Sequence, residues 1–165
     1  MKMTFGPRDR VEIDDARICR RHFGGRDDGR YNAEGDHNFT LIIPNMEMAD
    51  ALMERGYAVS VKPPQDEYDE PFITLKVKIY ANKETGDVEF DTIVKSRGNI
   101  QRLTNVDEFD MLDRIEFAKV DLDIKPRDWT YGKRSGRTAL LDGIWVEQNV
   151  NRFQRRLAEE EYPEE

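Results

Sequence analysis

The stretch Arg17–Pro44, RICRRHFGGRDDGRYNAEGDHNFTLIIP, decides how this chain folds, because two strand patterns in it flank a polar, glycine-rich loop. The first strand is predicted over residues 17–23. The second, residues 39–43, alternates apolar and other side chains and then becomes wholly apolar, as in a half-buried strand. Gly24, Gly25, Gly29 and Gly35 interrupt any regular element between them. The stretch therefore predicts two strands joined by a long, mobile loop.

The same stretch reverses the charge of the chain. From Arg17 to Tyr31 there are five arginines against Asp27 and Asp28, a net charge of +3, whereas the whole chain is at −8 and the remainder therefore at −11. Basic and aromatic side chains on one loop are typical of a site that binds phosphates and stacks on bases. The alternative is a solvated loop whose arginines pair with nearby carboxylates. The candidate nucleic-acid contacts here are Arg20, Arg21, Phe23, Arg26, Arg30 and Tyr31.

A second basic segment, Lys125–Arg137, has the sequence KPRDWTYGKRSGR, with five basic residues against Asp128 alone and a net charge of +4. We interpret it as a second loop, in which flexible cations neutralise phosphates and flat aromatic rings stack on bases of any type. The alternative is a β-hairpin whose Trp129 packs on the protein and whose charges face water. The candidate contacts are Trp129, Tyr131, Lys133, Arg134 and Arg137.

Weaker candidates lie on a predicted hairpin of residues 73–80 with residues 88–95. Its first strand places Lys76 and Lys78 opposite an apolar face, and Lys95 and Arg97 lie at the turn that follows the second strand. Lysines on an exposed edge also protect sheets from aggregation, so a purely structural role is the alternative for Lys76 and Lys78.

The remaining patterns predict a mainly β, antiparallel-dominated fold with one internal helix, capped by Asn45 and ended by Gly56, and a short C-terminal helix. The apolar parity changes near residues 14–15 and again between residues 117 and 120, which indicates bulges. Long, kinked strands favour a small closed barrel of the oligonucleotide-binding (OB) type. We expect one domain over residues 1–157 and an acidic, disordered tail over residues 158–165.

The composition and the motifs of the chain limit the classes of function that it can have. One cysteine, Cys19, leaves no internal disulfide framework, and neither a membrane-spanning run nor a secretory signal is present, so a cytoplasmic location is expected. The two histidines with Cys19 match no zinc spacing. Asp121 and Asp123 share a strand face and are the alternative for a magnesium nuclease, but no further catalytic motif accompanies them. We therefore expect a non-enzymatic protein with no cofactor and no metal.

A basic, aromatic-rich β-barrel followed by an acidic tail resembles the single-stranded DNA-binding proteins of phages and bacteria. The run HNFTLIIPNMEMADALMERGYAVSVKPP, residues 37–64, also looks like small phage proteins of this kind. The resemblance implies sequence-tolerant binding of single-stranded DNA in replication or recombination, with a tail that recruits protein partners and competes with DNA. The alternative is an acidic protein-binding module or nucleic-acid mimic, which a broad acidic functional face would favour.

Overall fold

The computed structural model describes residues 1–67, 69–150 and 152–161, and within them the chain forms ten strands and two α-helices. The strands are β1 (Lys2–Phe5), β2 (Val11–Asp14), β3 (Arg17–His22), β4 (Asn38–Ile43), β5 (Ser60–Lys62), β6 (Phe72–Lys78), β7 (Asp91–Ser96), β8 (Asn99–Arg102), β9 (Phe117–Tyr131) and β10 (Arg134–Gln148). The helices are α1 (Met46–Glu54) and α2 (Arg152–Glu161), and a 3-10 helix spans Val106–Asp113. In these ranges no helix has the length and apolarity that a bilayer crossing requires.

The strands form one sheet in the order β1-β2-β9-β10-β6-β4-β3, with β5 added to β6 and the β7–β8 hairpin added to β10. Among the described strands, seven of the nine pairings are antiparallel, and β10 pairs in parallel with both β6 and β7. This confirms the mainly β, antiparallel-dominated fold. The register of β9 against β10 shifts at Ala118, where a bulge was predicted, and again at Asp142.

The sheet is not closed into a barrel, which corrects the closed barrel expected from the sequence. β3 and β1 end the path of described strands and do not pair with each other. Side chains and turns cover the β3 edge instead of a strand ladder. Arg21 Nη1 donates to the carbonyls of Leu112 and Ile115 at 2.9 and 2.7 Å, and Ala16 N donates to the Val120 carbonyl at 2.8 Å. These bonds join β3, and the residue before it, to neighbouring segments without closing the barrel.

The predicted hairpin of residues 73–80 with 88–95 is wrong. β6 pairs with β4, β5 and β10, whereas β7 pairs with β10 and β8. The turn after β6 closes on itself, since Asn82 Oδ1 accepts from the amides of Glu84 and Thr85. Val88 N then donates to the Thr104 carbonyl at 3.0 Å, so the chain leaves β6 instead of returning along it.

One hydrophobic core lies on the inner side of the sheet. It joins the inward residues of β2, β4, β6, β9 and β10 to Ala49 and Leu52 of α1 and to Phe109 and Leu112 of the 3-10 helix. Asn45 caps α1 as predicted, its Oδ1 accepting from Met48 N at 2.9 Å. Tyr57 follows α1, and its hydroxyl donates to the Asp9 carbonyl at 2.6 Å. Burial raises the pKa of Tyr57 to about 12.

The segment after β10 contains α2, which extends to Glu161 with the exposed side chains of Phe153 and Leu157. Residues 158–161 of the predicted acidic tail therefore belong to this helix. Residues 162–165, the rest of that tail, lie outside the described residues.

Candidate nucleic-acid interface

The second basic segment is a β-ribbon and not a loop, which corrects the sequence interpretation. Tyr131 pairs with Arg134, and the register continues through Trp129 and Gly136. Gly132 has a φ of +61°, the left-handed conformation that a tight hairpin turn requires. The glycines and charges suggested a loop, but the ladder between β9 and β10 satisfies the backbone groups of both strands. Trp129 and Tyr131 are therefore carried on a regular scaffold.

Strand alternation sorts the ribbon side chains by face. In β9, Val120, Leu122 and Ile124 point into the core, so the odd-numbered residues point to the outer side of the sheet. From the ribbon tip inward, the outer row of β9 consists of Tyr131, Trp129, Arg127 and Lys125. Opposite them on β10 lie Arg134, Gly136, Thr138 and Leu140. Two aromatic rings and three cations thus share one side of the ribbon.

The ring of Trp129 lies against Gly136. A Cβ atom built on Gly136 would stand 2.5 Å from Trp129 Cζ2 and 2.7 Å from Cε2, so only glycine leaves room for the indole here. The Trp129 side chain nevertheless remains 43% exposed. One part of the indole is therefore packed on the ribbon while the rest is open to solvent. Such a ring is positioned before a ligand arrives.

β6 extends this surface. Lys78 lies in register with Leu140 of β10, and Lys76 and Tyr80 lie on the same side as Lys78 by strand alternation. The guanidinium of Arg127 stands 4.7 Å from the centre of the Tyr80 ring, which joins the ribbon to β6. At the other end of β6, Arg20 stands 5.9 Å from the Phe72 ring. We call this surface the basic aromatic face; it consists of Arg20, Phe72, Lys76, Lys78, Tyr80, Lys125, Arg127, Trp129, Tyr131 and Arg134. The predicted contact Lys133 is exposed in the turn at the ribbon tip.

Four large aromatic side chains are exposed on this face: Phe72 at 40%, Tyr80 at 45%, Trp129 at 43% and Tyr131 at 81%. Trp129 and Tyr131 were predicted as site residues from the sequence, whereas Phe72, Lys125 and Arg127 were not. Alternation was the available signal, because the odd-numbered residues from Lys125 to Tyr131 form an unbroken basic and aromatic row once the segment is interpreted as a strand.

Beyond Lys125 the outer side of the sheet becomes acidic. Asp123 and Asp121 follow in the same row of β9, and Glu12 of β2 lies in register with Asp123. Burial raises the pKa of Asp123, and the negative charges of Glu12, Asp142 and Asp14 raise it further. In the part of the chain that the structure describes, no group of three or more His, Cys, Asp or Glu side chains could hold a metal ion.

The contacts predicted in β3 and in the loop that follows it lie in different environments from those on the basic aromatic face. Phe23 is fully buried and stacks on Phe39 at a centroid distance of 5.0 Å, so its ring is part of the core and is not open to a base. Arg21 donates to two carbonyls, as described above, and its guanidinium lies 4.5 Å from the Phe117 ring. Arg26 pairs with Asp110. Phe23 is therefore a core residue, which corrects its selection as a ligand contact. Arg21 has structural partners, and its selection as a ligand contact stays a prediction.

The loop itself is hydrogen-bonded internally. Asp28 Oδ1 accepts from the amides of Arg30, Tyr31 and Asn32 at 2.7–2.9 Å, which lowers the pKa of Asp28. The buried Asn32 side chain donates to the carbonyls of Arg26 and Asp36. Tyr31 is 84% exposed, with the Arg30 guanidinium 5.4 Å from its ring. A loop expected to be mobile is thus folded around Asp28 and Asn32, and it presents Arg30 and Tyr31 to solvent.

Arg137 lies on the other side of the ribbon from Trp129. Its guanidinium forms ion pairs with Asp128 at 2.7 Å and with Asp9 at 2.6 Å, and it donates to the Arg55 carbonyl at 2.8 Å. These partners raise the pKa of Arg137 and lower that of Asp128. Arg137 therefore ties the ribbon to the end of α1, and its selection as a phosphate contact stays a prediction.

The last two candidates lie away from the basic aromatic face. Lys95 is in register with Glu147 of β10 and pairs with its carboxylate at 3.8 Å. Arg97 occupies the left-handed turn between β7 and β8, with a φ of +55°. Glu147 is seven residues beyond Leu140 along β10, about 23 Å for an extended strand. Lys95 and Arg97 are therefore separate from the surface built by β6, β9 and β10.

Comparison with known proteins gives one family match and several similar solved structures. The family model for a phage ssDNA-binding domain matches residues 2–164. The single-stranded DNA-binding protein from bacteriophage Enc34 has a similar fold, with a TM-score of 0.54, 10% sequence identity and 92% of each chain covered. The structure of that protein in complex with ssDNA matches with a TM-score of 0.51, 13% identity, and 86% and 88% of the two chains covered. No curated protein sequence matches this chain.

Proposed function

This chain belongs to the phage family of ssDNA-binding domains, and we propose that it holds single-stranded DNA across the basic aromatic face without regard to sequence. The observation that carries the proposal is the Trp129 ring, which is packed on Gly136 and open on its remaining surface. Base–aromatic stacking contributes about 1–3 kcal/mol per base and accepts every base.

The same face also carries cations that can neutralise the phosphates of a bound strand. Lys76, Lys78, Arg127 and Arg134 lie among the exposed rings, so phosphates of a strand stacked on those rings would lie close to positive charge. Binding of this kind releases counterions and is therefore salt-dependent even though the chain carries −8. An acidic protein-binding module would instead use a broad acidic face as its functional surface.

We infer a corresponding role for the folded loop of residues 24–37. Its exposed Arg30–Tyr31 pair offers one further cation and one further ring beyond the end of β6. Because His37, at the end of this loop, accepts a backbone bond from Ile79 next to Tyr80, the loop lies beside the basic aromatic face. Arg30 and Tyr31 would extend the DNA path from Tyr80.

The same proposal covers the type of fold, the location and process in which the protein acts, and the role of its C-terminal glutamates. The mainly antiparallel sheet is consistent with an OB-like fold, and a protein that only stacks and neutralises DNA has no need of catalytic groups or a cofactor. We place it in the cytoplasm, in phage DNA replication or recombination. The C-terminal acidic residues, five glutamates between residues 159 and 165, would compete with DNA for the cations and could recruit protein partners.

Titration of a fluorescent oligothymidine across a salt series tests the proposal. The logarithm of the binding constant should fall linearly with the logarithm of the salt concentration, with a slope of about −0.7 per phosphate contact. A binding constant that does not change with salt would contradict the electrostatic part of the proposal. If the tryptophan fluorescence of the protein does not change when DNA binds, the stacking part of the proposal is contradicted.

A further inference from the structure

A cleft opens where β10 changes its partner. Ala139 and Leu140 pair with β6, whereas β10 pairs with β7 from Gly143 onward, and the bulge at Asp142 separates the two regions. The space between the diverging strands forms a cavity of about 320 Å³. This volume is at the lower end of the range for small-molecule sites.

The cleft lies at the end of the basic aromatic face. Lys125 and Tyr80, two members of that face, form part of its wall. The next outer residues of β9 are Asp123 and Asp121, so a DNA backbone that follows the cations meets negative charge directly beyond Lys125. The path of the strand should therefore leave β9 at Lys125, where the cleft begins.

The lining of the cleft suits one nucleobase. Tyr80 and Phe90 supply aromatic walls, and Leu140 supplies an apolar floor. The rim carries two carboxylates. Asp87 Oδ1 already accepts from Asn105 Nδ2 at 3.2 Å, whereas Glu89 is exposed and forms no hydrogen bond or ion pair with the residues that the structure describes. Glu89 is therefore an acceptor available to a ligand.

We propose that this cleft takes one base of the bound strand and that Glu89 favours cytosine over thymine there. A carboxylate accepts a hydrogen bond from the N4 amino group of cytosine, and thymine presents the O4 acceptor at the same position. Apposition of the Glu89 carboxylate and thymine O4 is repulsive. The protein would thus bind any sequence through its stacked rings and still discriminate at one position. This inference rests on the proposed function.

The test compares oligodeoxycytidine and oligothymidine of about 15 nucleotides, a length that covers one OB-type site. For the wild type and for Glu89→Gln, the ratio of the two dissociation constants is determined, and intrinsic differences between the homopolymers cancel when the ratios of the two proteins are compared. Glu84→Gln is the matched control, because it removes the same charge from an exposed residue outside this cleft. The preference for cytidine should fall about fivefold to tenfold in Glu89→Gln and remain unchanged in Glu84→Gln.

The outcomes separate the two proposals. Tight binding of both oligomers with the same ratio in all three proteins would overturn the base cleft and leave the proposed function intact. An equal fall in both variants would also overturn it, because a general charge effect would then explain the preference. If the wild type binds neither oligomer, the proposed function fails and the cleft assignment fails with it.

Discussion

Replacing Gly136 by alanine should weaken DNA binding without unfolding the protein. The added methyl group would lie 2.5 Å from the Trp129 ring, so the indole must leave its position on the ribbon. Gly136 does not have a left-handed backbone, and alanine is favoured over glycine in a strand by roughly 0.5–1 kcal/mol, so stability should change by less than about 1 kcal/mol. Binding should lose part of the roughly 1–3 kcal/mol that Trp129 contributes by stacking.

A double-mutant cycle with Trp129→Ala isolates this mechanism. Fluorescence anisotropy with labelled oligothymidine gives the affinity, and thermal unfolding gives the stability. Trp129→Ala alone should cost about fivefold or more in affinity. Adding Gly136→Ala to Trp129→Ala should change binding by less than about 0.5 kcal/mol, because the ring that the methyl group displaces is absent. Gly143→Ala is the control, since a Cβ atom there meets nothing closer than 3.8 Å. A full effect of Gly136→Ala in the Trp129→Ala background would show that the methyl group does not act through the indole.

Three further predictions follow from the site and the core. Arg134→Met should reduce the slope of log binding constant against log salt concentration by about 0.7 in magnitude, without loss of stability. Arg137→Met should instead lower the melting temperature, because it leaves Asp9 and Asp128 without their cation. The reverse pattern would contradict the faces assigned to the two arginines. Because the pKa of Tyr57 is raised in the folded state, its neutral phenol stabilises the fold below pH 10. Between pH 10 and about 12 the free energy of unfolding should fall by up to about 2–3 kcal/mol relative to that of Tyr57→Phe, as measured by chemical denaturation. Truncation after Leu157 should tighten DNA binding at low salt, with a gain that shrinks as salt rises; equal affinities at low salt would exclude competition by the C-terminal glutamates.

Local patterns predicted the elements that short-range chemistry determines. The alternation in residues 39–43 predicted β4, and Asn45 and Gly56 bracket α1 through a side-chain cap and a left-handed glycine with a φ of +83°. The bulge near Ala118 also followed from apolar parity. Each of these features depends on residues that are near one another in the sequence, so a single sequence contains the necessary signal.

Strand pairing and the roles of individual arginines depend on distant residues and could not be predicted in this way. β7 follows β6 in the chain but pairs with β10, because hydrogen bonds of Asn82 and Asn105 redirect the turn. Arg21, Arg137 and Arg134 are chemically identical in the sequence. The first two contact carbonyls or carboxylates about 90 and 128 residues away, while Arg134 lies exposed on the ribbon. Net charge by segment therefore located the basic region but did not separate structural from exposed cations.

Photo-crosslinking to single-stranded DNA would identify the residues that contact the bound strand. An oligothymidine that carries a photoreactive base would be irradiated with the full-length protein, and the crosslinked residues identified by mass spectrometry. We expect crosslinks on the basic aromatic face, first at Trp129, Tyr131 and Tyr80. Crosslinks concentrated on α1, or on Trp145 in the acidic part of the sheet, would contradict this expectation.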